Sequence, residues 1–291
     1  MLEIRPCRDQ ADEALSLEIY NEVVPAEAVS LDESRAWKAA QVEYQELVAT
    51  WDGETAGSAI IGIARARPNA LTLITVLPET RRRSVGSELY REVSRWARDR
   101  GIETLSTRVA EDDVDSLEFA RRRGFVEHGR ERRLVLDLAG VDPEAPTPPD
   151  GIEIVRWSER PELARGIHEV ALEAHPDVPG SEDWSGEGHE EWLRRQPPEH
   201  TFVALAGDEV VGFGRVSINA ARPQVVVHGM TGVKRAFRRR GIAAALKRAQ
   251  IAWAASAGFE RLETMNELRN EPILRLNREA PGRITMRGPI A

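Results

Sequence analysis

Cysteine is almost absent from this chain of 291 residues. The single one, Cys7, excludes a disulfide framework and a cysteine-rich zinc site, and no metal centre is expected. Lysine is nearly as scarce: Lys38, Lys234 and Lys247 are the only ones among 40 basic residues, so the positive charge is carried by arginine. No apolar run approaches the ~18 residues of a membrane span, and residues 1–5 lead straight into charged sequence rather than into a secretory leader. The cytoplasm is the expected compartment, with no membrane partner. A basic excess is missing too. The 48 acidic residues leave a net charge of −8, which argues against a nucleic-acid binder. Hydrophobic residues at 41% and charged ones at 30% are in proportions that bury a real core.

What the chain does have is an internal repeat. Leu2-Glu3-Ile4 returns as Ile152-Glu153-Ile154, and Val48-Ala49 as Val203-Ala204. From there the offset settles: Val76 matches Val233, Arg81-Arg82-Arg83 match Arg238-Arg239-Arg240, Trp96-Ala97 match Trp253-Ala254, and Gly101 matches Gly258. An offset that changes only by loop-sized steps is the mark of a duplicated domain. Residues 142–150, DPEAPTPPD, are too rich in proline for a helix or a central strand. They divide the chain into domains at 1–141 and 151–291.

Each copy reads as a mixed α/β unit. A short strand precedes a helical region, and a hairpin follows, clearest at residues 201–206 and 209–218 around Gly207-Asp208. A β-branched strand spans 225–233, with 71–77 as its counterpart. Ile242, Leu246, Ala249 and Trp253 then recur at helical spacing before Gly258, as Val85, Leu89, Val93 and Trp96 do before Gly101. A further strand and a last helix complete the unit.

The junction of strand and helix, VKRAFRRRGIA at residues 233–243, carries chemistry. A helix N-terminus presents free N–H groups and about half a positive charge, which suits a phosphate. Gly241 and Ala243 have no side chain large enough to block its approach, and the arginines raise the local potential. A tight strand–helix turn beside a solvated arginine patch explains the same residues more plainly.

The surroundings decide between them. Arg238-x-x-Gly241-x-Ala243 resembles the coenzyme A-binding motif of the GNAT acyltransferase superfamily, with Val233 five residues upstream. Asn266-Glu267-x-x-Asn270-Glu271-Pro272, followed by Leu276-Asn277, resembles the family's second motif, where an asparagine opens the last helix. The resemblance spans both copies. It implies an α+β chain of two tandem GNAT-like domains, each a mostly antiparallel twisted sheet flanked by helices and splayed open to hold a pantetheine arm. It implies that Val233, Arg238, Arg239, Arg240, Gly241, Ile242 and Ala243 line the acetyl-CoA site with Asn270 and Asn277, and that the Val233 N–H is the oxyanion donor.

The copies differ. The first has Ser84 where the motif has its first glycine, and Asp113 where the second has Asn270, but it keeps the family's Gly124-Phe125 ending. The second has Ala280-Pro281-Gly282 there and room for about one more strand. The second domain is therefore expected to bind acetyl-CoA and acetylate a primary amine, on a small molecule, as a monomer or homodimer. The rival is a non-catalytic acyl-CoA sensor or scaffold. His228 is a candidate base, but five residues from Val233 it faces away unless a bulge shifts the register; otherwise it is a packed histidine. Glu263 is a weaker candidate. The tyrosine that many members use as an acid falls at Asn277, and at Ala120 in the first copy, so a tyrosine acid is excluded. Residues 173–184 with Trp192 either select the acceptor, acidic groups beside aromatics suiting a cationic amine, or form a surface loop whose tryptophans cap the core.

Overall fold

The computed structural model describes residues 1–64, 69–144, 147–177, 188–194, 196–267 and 278–291. The described residues run β1 (Leu2–Pro6), α1 (Gln10–Val23), α2 (Leu31–Ala39), β2 (Gln41–Trp51), β3 (Glu54–Ala64), β4 (Ala70–Val76), α3 (Val85–Arg98), β5 (Thr104–Ala110), α4 (Val114–Arg121) and β6 (Val126–Asp137). They continue with β7 (Glu153–Arg156), α5 (Ala164–Ala174), α6 (His189–Arg194), β8 (Thr201–Ala206), β9 (Glu209–Ile218), β10 (Val225–Val233), α7 (Ile242–Ser256), β11 (Arg261–Glu267) and β12 (Arg278–Pro289). The expected last helix of the second copy lies outside the described residues.

Local chemistry sets these boundaries. Ser30 and Glu33 form a reciprocal capping box that starts α2, and Asp9 accepts the Asp12 N–H at 3.0 Å to start α1. The β2–β3 hairpin turns on Asp52-Gly53, both at positive φ, the primed geometry that matches strand twist. α3 buries Val85, Leu89, Val93 and Trp96, the apolar stripe expected of it.

Two compact units result. One comprises residues 1–132, 220–222 and 281–291; the other comprises 133–219 and 223–280. In the first unit the strand order is β1-β2-β3-β4-β5-β12, and in the second β11-β10-β9-β8-β7. Within each unit the ladders among the described residues are antiparallel except β4–β5 and β10–β11, which are parallel. The units therefore follow strand pairing rather than the proline-rich joint at 142–150. β12 comes from the end of the chain, yet it pairs with β5, from Arg283↔Ala110 to Pro289↔Thr104. The free edge of β5 needs a ladder partner, and β12 carries Ile284 and Met286 into the core of Leu89, Val93 and Leu105. A side chain at Gly288 would collide with Phe125, which keeps this strand close.

A change near residue 286 thus acts on the first unit. Met286 is 1% exposed, and Met286→Ala is expected to destabilise that unit by roughly 2–5 kcal/mol. Hydrogen exchange should show protection lost in β4 and β5 and retained in β9 and β10.

Candidate active site

β10 and β11 run parallel only from Val225↔Arg261 to His228↔Thr264. Among the described residues the ladder stops there, and none of them pairs with that edge of residues 229–233. On the other edge β10 stays paired with β9 as far as Val233↔Gly212. The Lys234 N–H donates to the Val211 carbonyl at 2.9 Å. Backbone groups alternate along an antiparallel strand, so the N–H and C=O of Val233 point the other way, into the gap. Arg238 Nε donates to that carbonyl at 3.0 Å, which leaves the Val233 N–H facing the opening.

The first unit repeats this geometry. β4 meets β5 only at Ala70↔Leu105 and Leu71↔Ser106. The Leu77 N–H donates to the Ala56 carbonyl at 3.0 Å, and Arg81 Nε to the Val76 carbonyl at 3.2 Å. The loops match as well: Arg239 and Gly241 have φ of 62° and 80°, and Arg82 and Ser84 have 64° and 65°. A glycine adopts this left-handed conformation without strain; a serine does so at a cost of about 1 kcal/mol.

At the start of α7 the first helical bond runs from the Ala245 N–H to the Gly241 carbonyl, at 2.9 Å, and no side chain caps the end. The preceding N–H groups are therefore available to an anion. Among the described residues a Cβ on Gly241 would meet only Pro149, at 3.4 Å. The residues fit a diphosphate. Of the three arginines, Arg238 also pairs with Asp177 at 2.7 Å, Arg240 lies over the Phe237 ring, and Arg239 is exposed with no partner among the described residues. Ile242 is 1% exposed and anchors the helix, while Ala243 is exposed beside the N-terminus.

In the first unit the equivalent groups are engaged with one another. A Cβ on Gly86 would come 3.3 Å from the Phe119 ring. Arg123 lies over that ring and donates to Ser87 Oγ at 2.7 Å. Asp113 caps α4 through the Ser116 N–H, and Arg82 pairs with Asp115 at 2.8 Å.

β10 does contain the bulge that the His228 expectation required. His228 pairs with Val216 and Thr231 with Gly214, so one extra residue is inserted at Gly229-Met230. The shift brings His228 onto the face of Val233, but that face packs on α7. Val226 and Val233 lie against the Ile242–Leu246 cluster, whereas Met230 lies against the opposite one with Trp157 and Ile167. Both ring nitrogens of His228 are shut off from solvent without a hydrogen-bond partner. Burial, reinforced by the Lys247 ammonium, pushes its pKa down to about 3. An imidazole so reluctant to take a proton is a poor base, and its burial fits the other reading of the spacing, a packed histidine.

The sign of this shift gives a prediction. Unfolded, His228 takes a proton near pH 6.5; folded, it resists until about 3. Its neutral form therefore supports the fold above about pH 6.5, and that support is lost as the pH falls toward 3. Urea midpoints of wild type should decline over this window, and those of His228→Leu should decline less. Part of the slope should survive, because burial also lowers His168, His175 and His200.

Other expected residues are placed differently. Glu263 is 4% exposed and pairs bidentately with Arg133 of β6, at 2.6 and 3.0 Å, so it is no solvated base. Trp192 is a core residue packed against Trp157 and Phe213. Asp177 is held by Arg235 and Arg238 rather than free for a cation. Asn270, Asn277 and residues 178–184 lie outside the described residues. The Asp177 pairs and the Arg133–Glu263 pair were not read from the sequence, because ion pairs between distant segments leave no periodic signal. The bulge had one: an odd spacing between His228 and Val233, with glycines at 229 and 232.

A family model described as the acetyltransferase (GNAT) family matches residues 13–125 and again 164–276. A comparison with curated proteins finds no match. Among solved structures, a tandem GNAT protein from the clavulanic acid biosynthesis pathway is 20% identical, with a TM-score of 0.80, covering 100% of this chain and 99% of that one. A GCN5-related N-acetyltransferase from Sphaerobacter thermophilus is 21% identical, with a TM-score of 0.78, covering 99% and 96%. Two splayed sheets, two strand–arginine–helix junctions and two family matches agree: the chain belongs to the GNAT family of acetyltransferases and is an acyltransferase made of two tandem GNAT folds.

Proposed function

We propose that the second unit binds acetyl-CoA and transfers its acetyl group to a primary amine on a small molecule, while the first unit is structural. The observation that carries the reading is the contrast between the two junctions. Among the described residues only Pro149 approaches Gly241, whereas in the first unit Ser84 occupies the glycine position and Phe119 and Arg123 lie over Gly86 and Ser87. The net charge of −8 argues against a nucleic-acid acceptor.

Acetyl-CoA supplies an activated thioester. The chain aligns it and stabilises charge. Diphosphate oxygens accept from the N–H groups that open α7, and the pantetheine arm lies along the unpaired edge of residues 229–233. Attack by the neutral amine on the thioester carbonyl turns its oxygen into an oxyanion, for which the Val233 N–H is a fixed donor. Holding both reactants in line supplies much of the rate. The carbon–sulfur bond then breaks, a thiol of pKa around 8.5 leaves as the thiolate without a tyrosine acid, and the proton shed by the attacking nitrogen passes to solvent water.

The test is release of free CoA thiol with acetyl-CoA and a panel of primary amines. Steady, amine-dependent release supports the reading. Binding of acetyl-CoA with no amine-dependent release would make the chain a sensor or scaffold and overturn it.

A further inference from the structure

The helix on the sheet face opposite α7 reaches over to the coenzyme loop. Glu173, at the end of α5, accepts the Arg235 backbone N–H through Oε1 at 2.5 Å. Three residues past α5, Asp177 accepts from Arg235 at 3.0 Å through one carboxylate oxygen and from Arg238 at 2.7 Å through the other. Arg238 is the motif arginine whose Nε fixes the Val233 carbonyl. One carboxylate thus ties together the segment after α5, the loop before α7 and the strand end that carries the oxyanion donor. In the first unit Arg81 makes its carbonyl bond with no carboxylate beside it among the described residues.

We propose that Asp177 is a positioning residue that acts as a resident anion for the coenzyme site, holding Arg235 and Arg238 and opposing the phosphates that the same arginines attract. This rests on the second unit being the acetyl-CoA site. The two arginines hold the Asp177 carboxyl below its usual range, so it is charged throughout the neutral region. A phosphate arriving at α7 then meets a carboxylate already on two arginines of the loop before the helix, and either displaces it or binds against its charge. Both routes weaken coenzyme binding. Both also make arrival of the coenzyme loosen the segment after α5, so that filling one side of the second unit is felt on the other.

The test is calorimetric titration of the full-length chain with acetyl-CoA at several salt concentrations. Asp177→Asn keeps the shape and removes the charge. It is expected to tighten binding about three- to tenfold at low salt, an effect that shrinks as salt screens it. Asp177→Glu should restore the wild-type affinity. Unchanged or weaker binding by Asp177→Asn, with Gly241→Glu abolishing binding, overturns the role of Asp177 alone. Binding that survives Gly241→Glu overturns the choice of unit on which it rests. A merely structural carboxylate would lower affinity on removal and would not steepen its dependence on salt.

Discussion

Gly241→Glu is expected to weaken acetyl-CoA binding at least about a hundredfold while the chain stays folded, equivalent to roughly 2.7 kcal/mol or more. The size follows from the site. A glutamate at this position places its carboxylate over the N–H groups that would receive the diphosphate, and charge-assisted hydrogen bonds of this kind contribute about 1.5–3 kcal/mol each. Folding should survive for three reasons. Ser84 already occupies the same left-handed conformation in the first copy, with φ of 65° against 80°. Among the described residues the added Cβ would also meet only Pro149, at ordinary contact distance. An acidic group at a helix N-terminus is itself favourable. The matched change in the first unit, Ser84→Glu, is expected to alter binding less than about twofold, well inside the spread of exposed charge effects. Titration of both variants, with circular dichroism to confirm folding, checks the pair. The opposite pattern would assign the coenzyme to the first unit.

Val233→Pro is expected to reduce kcat by about 10²–10³ with little change in coenzyme affinity. Proline removes the Val233 N–H; it also fixes φ at about −65° and restrains Gly232, so circular dichroism must confirm that the strand end is kept. That N–H faces the strand gap and is not part of the β9 ladder, where a proline would be excluded. A donor aimed at the oxyanion acts more on the transition state than on the bound thioester, so kcat falls and affinity does not. The neighbouring Lys234→Pro is the contrasting case. Its N–H donates to Val211, so this substitution should lower stability as well as activity. Steady-state rates beside titrated affinities separate the two. An unchanged kcat for Val233→Pro would place the donor elsewhere.

Much of this architecture is legible in the sequence because the repeat is written in short-range patterns. Hydrophobic spacing gives α3 and α7, the turn at Gly207 gives a hairpin, and the resemblance carried by the arginine–glycine junction implies the opened strand end. What is not legible depends on long-range partners. β12 follows the second copy in the chain but completes the first unit, because the edge of β5 is complementary to Ile284 and Met286 and no local pattern records that choice. His228 has the spacing of a candidate base, yet its face and its neighbour Lys247 are fixed by the bulge and by α7. Asp177 has the composition of an amine-binding group and is neutralised by two arginines nearly sixty residues away. In each case residue type was readable and environment was not.

The central claim is that the parted strands β10 and β11, with the opening turn of α7, hold acetyl-CoA in the second unit. A crystal structure of the chain with acetyl-CoA tests it most directly. The account predicts the diphosphate on the N–H groups that follow Gly241, and the thioester oxygen about 2.7–3.1 Å from the Val233 nitrogen. Acetyl-CoA seated instead between β4 and β5, with the second unit empty, would contradict it.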